Sequence, residues 1–263
     1  MKTSTTQVKR SSNTISYFAV AFIWLVIWEL LSRAINEEIL FVSPLKVLST
    51  LLAMMGTASY WQMILYSVLR VLGGFVVGYI LSACLAVLSF KFDFFRLFIS
   101  PAISVIKATP VASFIILALM WSGKDFVPVL ICILMVTPIA WCNVLEGLRN
   151  VDGDLIEMAD VYRMSFTTKA RHIYLPSLIP YNAAAVGSGL GLCWKAGVAA
   201  EVICRTMPSI GNSIWETKFY IMTDEMFALT ATVVLLSVFF DFALKYTSDK
   251  LLKKYKTEVS VDD

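Results

Sequence analysis

Apolar positions along this chain gather in long runs and do not alternate with polar ones. The first run opens with ISYFAVAFIWLVIWELL and covers about 15–34; the second, WQMILYSVLRVLGGFVVGYILSACLAVLSF, covers 61–90. Four more cover about 97–121, 126–147, 181–204 and 226–247. Each is near or above the roughly 20 residues that cross a bilayer at about 1.5 Å rise per residue. Backbone groups in lipid must be satisfied within the segment, and these runs lack the period-two pattern of a barrel strand. The pattern predicts an all-α membrane protein with six transmembrane helices.

A shorter run, FVSPLKVLSTLLAMM (41–55), cannot span. Ser43 and Pro44 start it, and Leu45, Leu48, Leu51 and Leu52 share one face, which predicts an interfacial helix. The basic, polar start of the chain resembles a signal sequence, but SRAINEE follows the first run where a small-residue cleavage site would stand, so an uncleaved first span is expected. The organisation read from the pattern is a cytoplasmic tail (1–14), the first span and interfacial helix (15–57), one transmembrane domain (58–250) and a second cytoplasmic tail (251–263). No internal repeat is visible.

Composition agrees with that class: 58% of residues are hydrophobic and only 16% charged, and mean hydropathy is +0.75. The distribution of charge adds an orientation. Of the 22 Lys and Arg residues, fourteen fall in the segments that lie inside if both termini are cytoplasmic, five fall outside, and Arg70, Lys107 and Lys195 lie within spans. The positive-inside rule then places both termini, and the segment after the fourth run, on the cytoplasmic side of the cell membrane.

That segment, LIEMADVYRMSFTTKARHIYLPSLIP (155–180), is amphipathic and dotted with charge where a short loop would suffice. Asp154 followed by Glu157 makes a capping-box-like start, Leu155, Ile156, Met158, Ala159 and Tyr162 form an apolar face, and Ser165 with Thr168 offers a second start. Leu175-Pro176 should stop or kink a helix. Two short helices joined by a turn are expected. Their apolar face is too large for the loop to hide, so either the membrane surface or a cytoplasmic partner must cover it.

Charges inside spans need a partner or water, since one at mid-bilayer costs about 3 kcal/mol on lenient scales. Glu29 lies near a span end, and Arg70 and Asp241 are expected to pair with neighbours. Lys195 and Glu201 are six residues apart on the fifth span and do not share a face, so they are not an intrahelical pair; Lys195 faces a path and attracts an anion, or pairs with another helix. Lys107, just before Thr109-Pro110, carries the same two readings, and Pro110 breaks the third span. Gly74-x-x-x-Gly78 and Gly187-x-x-x-Gly191 allow close helix approach. The five cysteines lack metal spacing and read as small hydrophobes, and His172 is the only histidine, which excludes a histidine-based cluster. No GxxxxGK[ST] occurs, so nucleotide binding by this chain is not expected.

Glu157-Met158-Ala159, then Arg163, then Ile173-x-Leu175-Pro176 resembles the EAA-x3-G-x9-I-x-LP loop of binding-protein-dependent ABC importer permeases. The resemblance extends over about 58–250. SVLRVLGGFVVGYILSACLAVL (67–88) is similar to the segment that opens the family's domain. SPAISVIKATPVASFIILALMWSG (100–123) resembles its proline-punctuated segment, and WKAGVAAEV (194–202) with IGNSI (210–214) looks like the nitrate, sulfonate and taurine branch. Two positions depart from the pattern: Met158 stands for an alanine and Arg163 for a glycine.

The resemblance implies the type I importer permease fold, with short cytoplasmic coupling helices that dock on a separate ATP-binding cassette ATPase. Glu157, Met158, Ala159, Arg163, Ser165, Leu175 and Pro176 would carry the coupling. It implies no cofactor in this chain, with ATP on the partner; an extracytoplasmic solute-binding protein; a second permease copy; a lipid bilayer; and no nucleic acid. Lys107, Lys195 and Glu201 are the candidates for a translocation path. The solute implied is a small anion such as a sulfonate, taurine or nitrate, or else a vitamin precursor. An ion-coupled secondary transporter is the competing reading, and an intramembrane enzyme lacks any nucleophile, metal or carboxylate constellation to support it.

Overall fold

The computed structural model describes residues 14–37 and 39–259, with side chains over 19–37 and 39–247. The predicted first tail lies outside these residues except for Thr14, whereas the last helix runs on through 251–259 of the predicted second tail. Eleven α-helices are described: α1 (Thr14–Ile35), α2 (Pro44–Met55), α3 (Ala58–Lys91), α4 (Asp93–Ala108), α5 (Val111–Trp121), α6 (Val127–Arg149), α7 (Gly153–Val161), α8 (Phe166–Lys169), α9 (Leu175–Cys204), α10 (Ile210–Phe219) and α11 (Thr223–Val259). A π-helical stretch, Ala170–Tyr174, joins α8 to α9.

The all-α expectation holds, but the spans differ from six plain helices. Among the described residues four helices are long and apolar enough to cross a membrane: Ala58–Lys91, Val127–Arg149, Phe166–Cys204 and Thr223–Thr247. A fifth arises if α4 and α5 count as one span, although they are bent by 108°. The expected third span, 97–121, is therefore broken at Thr109-Pro110. Pro110 has no N–H to continue α4 and its ring disfavours helical geometry at Thr109, which is extended (ψ 132°). The helix of the first run, α1, has 22 residues, a crossing length, but the side chains of its first turn lie outside the described residues.

α6 is the centre of the bundle, packed between α3 and α9, and most of its side chains are buried. Two buried clusters divide its length. The larger joins Val71 and Phe75 of α3, Ile131, Cys132 and Val136 of α6, and Cys193 and Trp194 of α9. The smaller joins Ala86, Ile103, Trp141, Val144, Leu145, Leu148 and Leu178. A Cβ at Gly74 or Gly78 would press into α6, so this pair does bring α3 close, as its spacing predicts. The second predicted pair does not: Gly187 faces open space and Gly191 has only Asp241 nearby, while Gly189 and Gly197 make the close contacts of α9. Cys132, Cys193 and Cys204 are buried as small core groups, Cys142 is half-buried and Cys84 is exposed. All five are free, and the thiols of Cys132 and Cys193 each donate to the other's carbonyl across α6 and α9.

Ser43 caps α2 as expected, accepting from Lys46 N at 3.3 Å. Its packed face is Val47 and Leu51; Leu45, Leu48 and Leu52 are exposed, so the predicted leucine face splits. Trp28 of α1 donates to Val42 O at 3.0 Å and meets Phe41 and Phe227, which ties α1 and α11 to the segment before α2.

Candidate functional site

The segment after α6 forms a bracket of two parts. Asp152, not Asp154, caps α7, its side chain accepting from Asp154 N at 3.0 Å. The capping-box reading chose the wrong aspartate: α7 begins at Gly153, two residues before the start that the spacing implied. Ser165 caps α8 as predicted, accepting from Thr168 N at 3.3 Å. Between them Arg163 has φ +50°, the left-handed geometry that glycine adopts at little cost. Arg163 N donates to Asp160 O at 3.0 Å and Met164 N to Ala159 O at 2.9 Å, a Schellman closure of α7. The turn thus keeps a glycine-type backbone with an arginine in it, at a cost of roughly 1 kcal/mol. An ion pair between Lys169 and Asp160 fastens α8 back onto α7.

The second part is not a separate short helix. α8, the π stretch and α9 form one helix, Phe166–Cys204, of 39 residues. Leu175-Pro176 was expected to stop or kink it. Instead Leu175 N donates to Ala170 O, five residues back, and this widened turn makes room for the Pro176 ring. A displacement of α7 and α8 therefore has a continuous rod along which to act.

The outer surface of the bracket is apolar. Val161 and Phe166 are each 81% exposed, and Leu155, Met158, Tyr162 and Leu175 are exposed too. Glu157 is exposed in their midst, whereas Ala159 is fully buried and holds α7 against the protein. Of the candidate coupling residues, Glu157, Met158, Arg163, Ser165 and Leu175 reach the surface. Pro176 is half-buried and acts on the backbone.

The three path candidates separate. Glu201 is fully buried. Its Oε2 accepts from Ser67 Oγ at 2.7 Å and from Gly211 N at 3.4 Å, and its Oε1 meets Arg70 Nη1 at 3.4 Å. Arg70 also donates to Pro208 O at 2.7 Å and Met207 O at 3.4 Å. Ser67 Oγ in turn accepts from Ile210 N at 2.9 Å. Glu201 thus belongs to a latch that fastens the α9–α10 turn and the start of α10 to α3, and not to a path. Gly211 is needed here: a Cβ would run into the backbone of α9 around Glu201 and Val202. Arg70 is paired, as the sequence reading expected. Asp241 is exposed and makes no ion pair among the described residues, contrary to expectation. Glu29 pairs with Arg33 at 2.7 Å.

Lys195 is exposed on α9, in line with Ala184, Ser188, Leu192, Ala199 and Ile203. It has no hydrogen-bond or ion-pair partner among the described residues. It lies nine residues before the end of α9 at Cys204, about 13 Å along the axis. Lys107 is exposed and donates to Cys142 Sγ at 3.0 Å.

Sequence reasoning missed α10 as a helix and the latch as a unit. Ser209 carried a signal for α10, since its hydroxyl accepts from Asn212 N at 2.9 Å as an N-cap. The latch joins residues more than 130 positions apart and left no local trace. A cavity of about 370 Å³ opens beside it, lined by Gln62, Asn212, Ser213, Glu216 and Glu225 among others.

Comparison with known proteins agrees with this architecture. The family model described as "binding-protein-dependent transport system inner membrane component" matches residues 74–253. The chain is 25% identical over 235 residues to a putative ABC transporter permease protein of Methanocaldococcus jannaschii, covering 86% of each. It is 27% identical over 202 residues to the putative aliphatic sulfonates transport permease protein SsuC of Escherichia coli, covering 75% of this chain and 76% of the relative. It is 26% identical over 160 residues to the bicarbonate transport system permease protein CmpB of Synechococcus elongatus, covering 60% and 56%. With its helical membrane bundle and the loop bracket between α6 and α9, this chain belongs to the binding-protein-dependent transport system inner membrane components, the ABC transporter permeases.

Proposed function

We propose that this chain is the translocating subunit of an importer that takes a small anion from an external binding protein, works with a second permease copy, and is driven by a separate ATPase gripping α7 and α8. The bracket is the observation that carries this reading. Its apolar residues are exposed on a segment held rigid by two side-chain caps, a Schellman turn and an ion pair, and it continues without a break into a membrane span. Such a surface needs a cover, and a partner seated on it would move α9 directly.

In this reading ATP binds and is hydrolysed on the partner. Closure of two ATPases draws the two brackets together, the cytoplasmic end of the path shuts and the far end opens to the loaded binding protein; hydrolysis resets it. The charge bias of the loops supports placing the bracket and both termini on the cytoplasmic side of the inner membrane. Lys195 would face the path. An unpaired lysine on an open helix face at membrane depth favours a watery route and an anionic solute. The relatives named for aliphatic sulfonates and for bicarbonate both handle anions, which fits a sulfonate, taurine or nitrate-like substrate. Purification in mild detergent with identification of co-purifying subunits tests the proposal: an ATPase should accompany the wild-type chain and be lost from Glu157→Lys, while membrane insertion is unchanged. A Glu157→Lys chain that keeps its ATPase and transports normally would overturn the coupling role.

A further inference from the structure

A second cavity, of about 520 Å³, lies between α4 and the last two turns of α6. It sits at the same end of the bundle as the bracket, since Asn150 on its wall is three residues before α7. Its polar wall is Arg96, Ser100, Glu146, Arg149 and Asn150; its apolar wall is Leu97, Trp141 and Leu145, with Cys142 beside them. Lys107 reaches Cys142, so a third cation borders the cavity. Two carboxylates oppose the three cations. Asp93 pairs with Arg96 at 3.1 Å but is 83% exposed, so solvent weakens that pair. Glu146 is exposed and makes no ion pair among the described residues.

We propose that this cavity binds the phosphate headgroup of an anionic phospholipid. Arg96 and Arg149 receive the phosphate, Ser100 and Asn150 supply neutral donors, and an acyl chain leaves along Leu97 and Leu145. Three observations favour a lipid over a free anion. The volume holds a headgroup with its glycerol, far more than a bare phosphate fills. Half of the wall is apolar: the Trp141 indole N–H is satisfied by Ser89 Oγ at 3.0 Å, which leaves its ring as a hydrophobic surface. On α4, Phe94 is 82% exposed and Leu97 and Phe98 are exposed with it, so the helix beside the cavity presents a face suited to acyl chains. Basic pockets between membrane helices at a headgroup boundary are suited to such lipids, and arginine suits phosphate through its planar fork of donors. An occupied site would brace α4 against α6 next to the segment that leads into the bracket.

The site stands on the cavity alone; only its assignment to the cytoplasmic leaflet rests on the proposed orientation. The test reads binding and not transport, so failure of the ATPase partnership would leave its result interpretable. The purified assembly, delipidated in uncharged detergent, is titrated with phosphatidylglycerol, phosphatidylcholine or inorganic phosphate, and bound lipid is counted by native mass spectrometry. Phosphatidylglycerol should be retained at least ten-fold better than phosphatidylcholine. Arg96→Gln with Arg149→Gln should remove that preference, and Lys91→Gln, at the same end but outside the cavity, should keep it. Equal retention of the two lipids, unchanged preference in the double variant, or displacement of the lipid by millimolar phosphate would overturn the proposal. Should the double variant prove unstable, Ser100→Leu, which narrows the cavity without changing charge, should weaken the same preference; full retention there contradicts the site.

Discussion

The two ends of the bundle treat their polar residues differently. At the α10 end Ser67, Glu201, Ser209 and Asn212 are buried and hydrogen-bonded, and Arg70 links Glu201 to two backbone carbonyls. At the bracket end Glu157 is exposed and so are Met158, Val161, Tyr162 and Phe166. At the first end the latch is closed within the chain, Glu201 and Arg70 being each other's partner, although Met207, Phe219, Tyr220 and Ile221 are exposed around it. At the second, the proposed function has a partner cover the bare residues. Buried polar groups fix α3, α9 and α10 to one another; the bare apolar groups of α7 and α8 are where the proposed function places a handle.

The largest difference between the ends should appear on breaking them. Arg70→Ala leaves Glu201 buried beside Ser67 and one backbone N–H, and loss of one partner from such a pair costs about 3–5 kcal/mol. Thermal unfolding in detergent should show a large drop in Tm, and Arg70→Ala combined with Glu201→Ala should be less damaging than the two losses added. If both single variants unfold like wild type, the latch is not structural. Glu157→Lys should do the reverse: Tm unchanged, ATPase affinity lowered at least ten-fold, or about 1.4 kcal/mol, and uptake abolished. Smaller is the effect expected at Lys195. A charge pair in a watery path is worth about 1 kcal/mol, so Lys195→Ala should slow anion uptake roughly five-fold at low solute, with Lys195→Arg retaining most of it; unchanged uptake removes Lys195 from the path. The smallest belongs to Arg163→Gly, which relieves up to about 1 kcal/mol of left-handed strain and should leave ATPase binding intact, with Tm equal to wild type or slightly higher.

Much of this contrast could be read from the sequence where the cause was local. Run length gave the class, Ser43 and Ser165 marked helix starts, and the bracket residues were found by their mixed pattern between two greasy segments. A turn with left-handed geometry at Arg163 was implied only by the resemblance, whose pattern has a glycine there; arginine itself gives no hint of positive φ. What could not be read was set by tertiary contact. Pro176 signalled a stop, but a π turn absorbed it. Glu201 looked like a path residue because a glutamate in an apolar span demands an explanation, and its explanation, Ser67 with Arg70, lies on another helix. The Gly187 and Gly191 spacing invited a close approach that Gly189 and Gly197 make instead, because the face α9 turns to α3 and α6 depends on the packing of the whole bundle. Pro110 predicted a break but not a bend of 108°.

The most direct test is reconstitution in sealed vesicles of the purified chain with and without its co-purifying subunits. Solute accumulation should require ATP, the ATPase and an intact Glu157, and should be absent for the chain alone at any ion gradient. Uphill accumulation by the lone chain, driven by an ion gradient without nucleotide, would show that the bracket is not a handle for an external engine.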